Sequence, residues 1–187
     1  ILFLGRIDPK KGLDLLAQAF ASIQLQFPQI HLVIAGPDNI GFLSTAQNYF
    51  VEAGCSDSVT FTGFLTGPIK FAAFSASNIY VAPSYSEGFS MSILEAMASG
   101  LPCIITTGCN FPEAAIEKAA YVVDSKVKEI TEALLFCLNH PQAAEQMGED
   151  VNALREILEN LIQISFNRED LLREYSEINN NNPKYNA

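Results

Sequence analysis

The chain has 187 residues, a length that suits one substantial domain with its own hydrophobic core. Its formal net charge of -10 argues against nucleic acid as a partner, because a phosphate backbone calls for a basic protein face. Apolar residues make up 49% of the chain, yet no apolar run is long enough to cross a bilayer and no secretory signal is visible.

Short apolar runs alternate with stretches of helical periodicity along the chain. The predicted strands span residues 1–4, 30–35, 59–62, 79–82, 101–106 and 120–123. The predicted helices span residues 13–23, 42–53, 68–77, 90–99, 113–118, 127–139 and 143–164. This alternation predicts the α/β class, with a doubly wound parallel sheet flanked by helices.

The cysteines and histidines follow no zinc or redox spacing. The four cysteines are Cys55, Cys103, Cys109 and Cys137. We expect them to pack in the core of a protein that works in a reducing cytoplasm. His31 and His140 lie far apart in the sequence, so no metal site is predicted.

The first strand is followed by a turn that carries basic residues. Arg6 lies just past the carboxyl end of that strand, and Lys11 lies just before the next helix. Ligands of open parallel sheets bind at this edge. The turn is not a Walker A loop, because Leu13 stands where Ser or Thr is required, and the chain has no dinucleotide-binding glycine fingerprint.

Between the fourth and fifth predicted strands lie a loop that carries Glu87 and a helix that carries Glu95. We expect the helix to begin near Ser90 to Ser92, because small hydroxyl residues cap helices well. The free N–H groups of Met91 and Ser92 would then suit an anion, which the helix dipole also favours. Carboxylates beside such an anion would repel it, so they are better suited to hydrogen-bond neutral hydroxyls, such as those of a sugar and a ribose.

The predicted topology brings these features together. The loops that follow parallel strands gather on one edge of the sheet, because the crossovers are right-handed. Arg6, Lys11 and the helix start at Ser92 should therefore converge on one anion. Two cations and a helix dipole match the charge of a nucleotide diphosphate.

Residues 87–102, with the sequence EGFSMSILEAMASGLP, resemble the paired-glutamate motif of retaining glycosyltransferases, most closely those of family 4. Gly5-Arg6 and Lys11-Gly12 resemble the diphosphate-binding pair of the same enzymes, which have the two-domain GT-B fold. The resemblance covers nearly the whole chain but only half of the family's usual protein. It implies a Rossmann-like, carboxyl-terminal donor-binding domain, with the acceptor-binding amino-terminal domain absent.

The resemblance also implies a role for each candidate residue. Arg6 and Lys11 would stabilise the leaving diphosphate, Glu87 would orient the sugar hydroxyls, and Glu95 would hold the ribose. The other residues predicted to line the donor site are Phe64, Leu65, Gly88, Phe89, Ser90, Met91 and Ser92. The donor would be a UDP- or GDP-linked sugar, with no cofactor and no metal.

Simpler interpretations of the same residues stay open. Ser92 and Glu95 also form the sequence pattern of a capping box, in which Glu95 only satisfies a backbone donor. Phe64 and Leu65 can be ordinary core residues. Many relatives have glycine where this chain has Ser90, which leaves the identity of the donor sugar open.

The predicted function is transfer of a hexose from a nucleotide-diphosphate sugar to a glycan, lipid or small-molecule acceptor, without a metal and with retention of configuration. Its setting would be cell-envelope or exopolysaccharide biosynthesis, in the cytoplasm or peripheral to the inner membrane face. A GT-B-type sugar-nucleotide epimerase and a non-catalytic nucleotide-sugar-binding module are the alternatives.

The domain boundaries follow from the same patterns. The nucleotide-sugar-binding domain is predicted to span residues 1–165, followed by a helix at 166–178 that Asn167 and Asp170 would cap. Residues 179–187, which begin with four asparagines, are predicted to form a disordered tail.

Overall fold

The computed structural model describes residues 1–88 and 90–148 of the chain. Its centre is one six-stranded sheet in which every neighbouring pair of strands is parallel. The strands are β1 Leu2–Leu4, β2 Leu32–Ala35, β3 Val59–Gly63, β4 Tyr80–Ala82, β5 Cys103–Thr106 and β6 Tyr121–Val123. Their order across the sheet is β3-β2-β1-β4-β5-β6, so the doubly wound parallel sheet predicted from the sequence is confirmed.

The sheet is covered by helices on both faces. They are α1 Leu13–Gln24, α2 Leu43–Glu52, α3 Gly67–Ser75, α4 Met91–Ala98, α5 Glu113–Ile116, α6 Val127–Asn139 and α7 Pro141–Gly148. Helices α1, α2, α6 and α7 contribute to the hydrophobic core on one face. Helices α3, α4 and α5 contribute to the core on the other face.

The central strands are apolar throughout because both of their faces are covered. In β1, Phe3 packs into one core and Leu2 into the other, and each is at most 1% exposed. Strand β5 is buried over its whole length. Continuous apolar runs of this kind, rather than alternating ones, are typical of parallel sheets.

The observed elements differ from the predicted ones mainly at their ends. Predicted strand 101–106 begins only at Cys103, and the residue before it, Pro102, has no N–H group to donate to a neighbouring strand. Predicted helix 113–118 ends at Ile116, and Lys118 takes a left-handed backbone with φ of 54°. The predicted helix at 166–178, the boundary at 165 and the tail lie outside the described residues.

All four cysteines are free and buried, as the sequence predicted. Burial raises the pKa of each of these thiols. Within residues 1–88 and 90–148, no helix is both long enough and apolar enough to cross a membrane.

Candidate functional site

The candidate site lies where the winding of the sheet reverses. The chain winds outward from β1 through β2 to β3, and then from β4 through β5 to β6 on the other side. Strands β1 and β4 are therefore neighbours, and the chain leaves them in opposite directions, toward β2 and toward β5, at a switch point that is called the crevice here. Ligands of doubly wound sheets bind at this position. Arg6 and Lys11 follow β1, whereas Glu87 follows β4.

The loop after β1 is shaped by a close approach to the loop after β4. It contains a short 3-10 turn, Pro9–Lys11, and the side chain of Asp8 accepts a hydrogen bond of 2.9 Å from the amide of Lys10. Gly12 then takes a left-handed backbone with φ of 67°, and a Cβ atom there would lie 2.0 Å from the carbonyl oxygen of Pro83. Only glycine fits this point, where α1 begins against the end of β4.

Lys11 and Glu87 form an ion pair across the two loops. Lys11 Nζ donates to Glu87 Oε1, and Ser84 Oγ donates to the same oxygen at 2.9 Å. The Lys11 and Glu87 side chains are each only 11% exposed. The pair therefore brings the predicted phosphate-binding cation and the predicted sugar-binding carboxylate into direct contact. Arg6, in contrast, is exposed, and no ion pair to it is found in the described part of the chain.

The loop that carries Glu87 is held on both sides. The amide of Tyr85 donates to the carbonyl oxygen of Lys10 at 2.7 Å, and its hydroxyl donates to Asp14 Oδ2 at 2.6 Å. Partial burial and the Asp14 carboxylate raise the pKa of Tyr85 to about 12. On the other side, the amide of Glu87 donates to the carbonyl oxygen of Gly108 at 2.8 Å. The backbone around Glu87 is thus fixed by both neighbouring loops.

Helix α4 begins at the crevice. Ser90 is its N-cap residue, so Met91 and Ser92 are the first two helical residues and their N–H groups have no partner within the helix. Ser92 Oγ lies 2.8 Å from the buried hydroxyl of Tyr80, which is also 3.2 Å from the carbonyl oxygen of Leu4. Burial raises the pKa of Tyr80, which keeps its hydroxyl protonated. This hydroxyl connects the end of β1 to the start of α4.

The capping-box interpretation of Ser92 and Glu95 is wrong. The helix starts two residues too early for it, because Ser90 and not Ser92 is the N-cap residue, and Ser92 Oγ is instead within 3.1 Å of Ser90 Oγ and close to Tyr80. Glu95 Oε1 accepts a hydrogen bond of 2.6 Å from Lys70 Nζ on α3. Glu95 is therefore free of the helix start and lies on the accessible side of α4.

The two residues predicted beside a nucleobase have different environments. Phe64 is 70% exposed, so it is not a core residue. It lines a cavity of about 240 Å³ with Pro37, Asp38 and Leu43, among others, beside the ends of β2 and β3. Leu65 is half-buried and packs against the core that α3 and α4 share. Gly88 is exposed, and Phe89 lies outside the described residues.

Comparison with known proteins decides the family. A family model described as glycosyl transferases group 1 matches residues 1–153. The chain belongs to this family. Its sheet is accordingly the Rossmann-like half of the GT-B arrangement, in agreement with the resemblance seen in the sequence.

Relatives of this group 1 chain are named as sugar transferases. It is 30% identical over 161 residues to the lipopolysaccharide core biosynthesis mannosyltransferase LpcC of Rhizobium leguminosarum bv. viciae, covering 83% of this chain and 45% of that protein. The chain spans less than half the length of the curated relatives it matches.

Two solved structures illustrate the fold. The carboxyl-terminal domain of a group 1 glycosyltransferase, LpcC of Francisella tularensis, matches with a TM-score of 0.72 and 23% identity, covering 82% of each chain. Anabaena HepE, solved in complex with UDP and glucose, matches with a TM-score of 0.71 and 19% identity, covering 87% of this chain and 47% of that one. At these identities the likeness concerns the fold alone.

Three side chains of this group 1 site were not predicted from the sequence. Ser84 and Tyr80 orient Glu87 and Ser92, and Lys70 pairs with Glu95. Lys70 is the one that the sequence could have indicated, because it is a single charge within an apolar helix. Among residues 1–88 and 90–148, no cluster of three His, Cys, Asp or Glu side chains could hold a metal ion.

Proposed function

We propose that this chain is the donor-binding domain of a retaining glycosyltransferase that uses a nucleotide-diphosphate sugar. The observation that carries the proposal is the convergence of Arg6, Lys11, Glu87 and the start of α4 at the reversal point of the sheet. This arrangement combines two cations, two free backbone N–H groups and a helix dipole for an anion with a carboxylate for hydroxyls. The family match, and the UDP and glucose in the complex of HepE, support the choice of ligand.

The difficult step of such a transfer is departure of the diphosphate, which leaves an oxocarbenium-like sugar. Arg6 and Lys11 would stabilise the charge that grows on the leaving oxygen, which is electrostatic catalysis by cationic donors. The Lys11 ammonium has three N–H donors and gives one of them to Glu87. The remaining donors can contact the diphosphate while the pair with Glu87 stays intact.

Glu87 would act on the sugar rather than on the phosphate. Its Oε1 atom is occupied by Lys11 and Ser84, while no described residue donates a hydrogen bond to Oε2. Carboxylates accept strong hydrogen bonds from hydroxyls, so Oε2 is suited to hold a sugar hydroxyl next to the breaking bond. Lys11 thereby links the position of the sugar to the position of the diphosphate.

The role of Arg6 can be tested without disturbing the fold, because its side chain is exposed. We expect Arg6→Ala to weaken UDP or GDP binding by roughly tenfold, since charge-assisted hydrogen bonds contribute about 1.5–3 kcal/mol. Titration calorimetry on the 187-residue chain measures the change. Lys10→Ala is the matched control, because Lys10 is an exposed cation of the same loop whose side chain points to solvent. Equal losses of affinity in both variants would show that Arg6 contributes only nonspecific positive charge and no direct contact to the diphosphate.

Sugar transfer would require a longer protein that also contains an acceptor-binding domain. We expect that protein to transfer a sugar from its nucleotide donor with the anomeric configuration retained, as followed by proton NMR of the product. The 187-residue chain alone should transfer none at a useful rate, because the acceptor is not held near the donor. Epimer formation without transfer would favour the epimerase alternative, and binding without turnover would favour a non-catalytic module.

A further inference from the structure

Lys70 occupies an unusual position for a lysine. It lies in α3 between Ile69 and Phe71, which are 67% and 57% exposed, and it is the only charged residue of that helix. An exposed helix face would allow the ammonium to extend into water. Instead the side chain is only 23% exposed, and its Nζ atom lies 2.6 Å from Glu95 Oε1.

The contact leaves half of the Glu95 carboxylate available. Lys70 binds Oε1, and no hydrogen bond to Oε2 is found from residues 1–88 or 90–148. The buried side of α4 is formed by Ile93, Leu94, Ala96 and Met97. Glu95 is turned away from this side and lies one helical turn after Met91, about 6 Å away along the accessible surface. Its free oxygen therefore lies within reach of a ligand bound at the helix start.

A carboxylate so close to an anion site needs an electrostatic partner. A diphosphate at the start of α4 would repel an unpaired Glu95 and would raise the cost of keeping it ionised. Lys70 offsets this charge, as Lys11 offsets the charge of Glu87. Each of the two carboxylates predicted to bind hydroxyls is thus paired with one lysine through a single oxygen atom.

We propose that Lys70 is a positioning residue that sets the ribose selectivity of the site through Glu95. The ammonium holds Oε1, and this fixes Oε2 toward the ribose hydroxyls of the nucleoside diphosphate. The proposal rests on the proposed function, because it takes Glu95 as the ribose ligand. An ion pair that only joined α3 to α4 would affect stability slightly and would leave ligand selectivity unchanged.

The decisive measurement is a ratio of two affinities within each variant. Titration calorimetry gives the dissociation constants of UDP and 2′-deoxy-UDP, and of GDP and 2′-deoxy-GDP, for each protein. We expect Lys70→Met to reduce the preference for the ribonucleotide by roughly three- to tenfold, because a carboxylate that is not already held must be ordered when the ribose binds. Lys70→Arg should restore much of the preference. Because both ligands meet the same folded fraction, a change in stability cancels in the ratio.

The chain offers a matched control in Lys126, which pairs with Asp124 Oδ2 at 2.8 Å on an exposed surface. Lys126→Met removes a lysine–carboxylate pair that is more exposed than the pair of Lys70 and Glu95, and it should leave the ratio unchanged. Glu95→Gln tests the ribose contact itself, because this variant should have a lower ratio if Glu95 binds the ribose.

The outcomes are distinguishable. A ratio that falls in Glu95→Gln but not in Lys70→Met overturns the role of Lys70 and leaves Glu95 as a ribose ligand. A ratio unchanged in both variants overturns the inference as well, while the loss of diphosphate binding in Arg6→Ala still tests the proposed function separately. An equal weakening of ribo- and deoxyribonucleotides in Lys70→Met also contradicts the inference, because Lys70 would then act directly on the diphosphate.

Discussion

Replacing Lys11 with methionine is expected to weaken nucleoside diphosphate binding by roughly 10- to 100-fold, the loss of a charge-assisted contact of about 1.5–3 kcal/mol. Methionine keeps most of the apolar length of the side chain, so packing around the buried stem changes little. The same substitution leaves Glu87 only 11% exposed and without its cation. Removing one partner of a buried pair is strongly destabilising, and we expect a loss of about 3 kcal/mol in the free energy of unfolding.

A double variant separates these two effects. In the double variant Lys11→Met with Glu87→Gln, neither of the two positions carries a charge. Ser84 can still donate to the amide oxygen at the position of Oε1. The free energy of unfolding, measured in urea, should largely recover, whereas nucleotide affinity should not. Wild-type affinity in the double variant would exclude Lys11 as a phosphate ligand and leave the ion pair with a structural role only.

The second large effect is expected from Gly12→Ala. The left-handed backbone costs a residue with a Cβ atom about 1–2 kcal/mol, and contact with the backbone of Pro83 at 2.0 Å adds the cost of overpacking. We expect a loss of about 3 kcal/mol or more in the free energy of unfolding. Lys11 directly precedes Gly12, so we expect a loop shift that relieves this contact to disturb the pair of Lys11 and Glu87 and to weaken nucleotide binding in the fraction that still folds.

Gly54→Ala is the control for the backbone part of this cost. Gly54 has φ of 75°, close to that of Gly12, but a Cβ atom there would have nothing within 4 Å. We expect it to cost about 1 kcal/mol, from the left-handed backbone alone. Similar losses in the two variants, measured by urea denaturation, would contradict a specific contact between Gly12 and Pro83.

The sequence predicted the fold class well because both relevant signals are local. Runs such as Ile104-Ile105 are apolar throughout and mark strands covered on both faces, and periodic segments such as 127–139 mark the helices between them. The order of the strands is a different matter. That β4 lies beside β1 depends on a pairing between Leu2 and Tyr80, and no local pattern specifies that pairing.

The candidate site shows the same division. The residues around Arg6 and Glu87 could be selected from their positions after strands, which topology gathers on one edge. The ion-pair partners of Glu87 and Glu95 could not be predicted, because the pairs Lys11–Glu87 and Lys70–Glu95 join separate elements. The capping-box pattern illustrates the error that follows. Residues 92 and 95 have the right spacing, yet the N-cap residue is Ser90, and Glu95 pairs with Lys70.

The contacts across the crevice also determine when the site can exist during folding. Lys11 and Glu87 are 76 positions apart, as are Leu4 and Tyr80, and Tyr85 contacts Asp14 across 71 positions. We expect contacts between such distant positions to form late, because the entropy of closing the loop is lost before the contacts can compensate for it. While Glu87 of a nascent chain is still inside the ribosome, the contacts across the crevice cannot form. A nucleotide bound at the proposed site would therefore stabilise the finished sheet and would not act as a template for its early assembly.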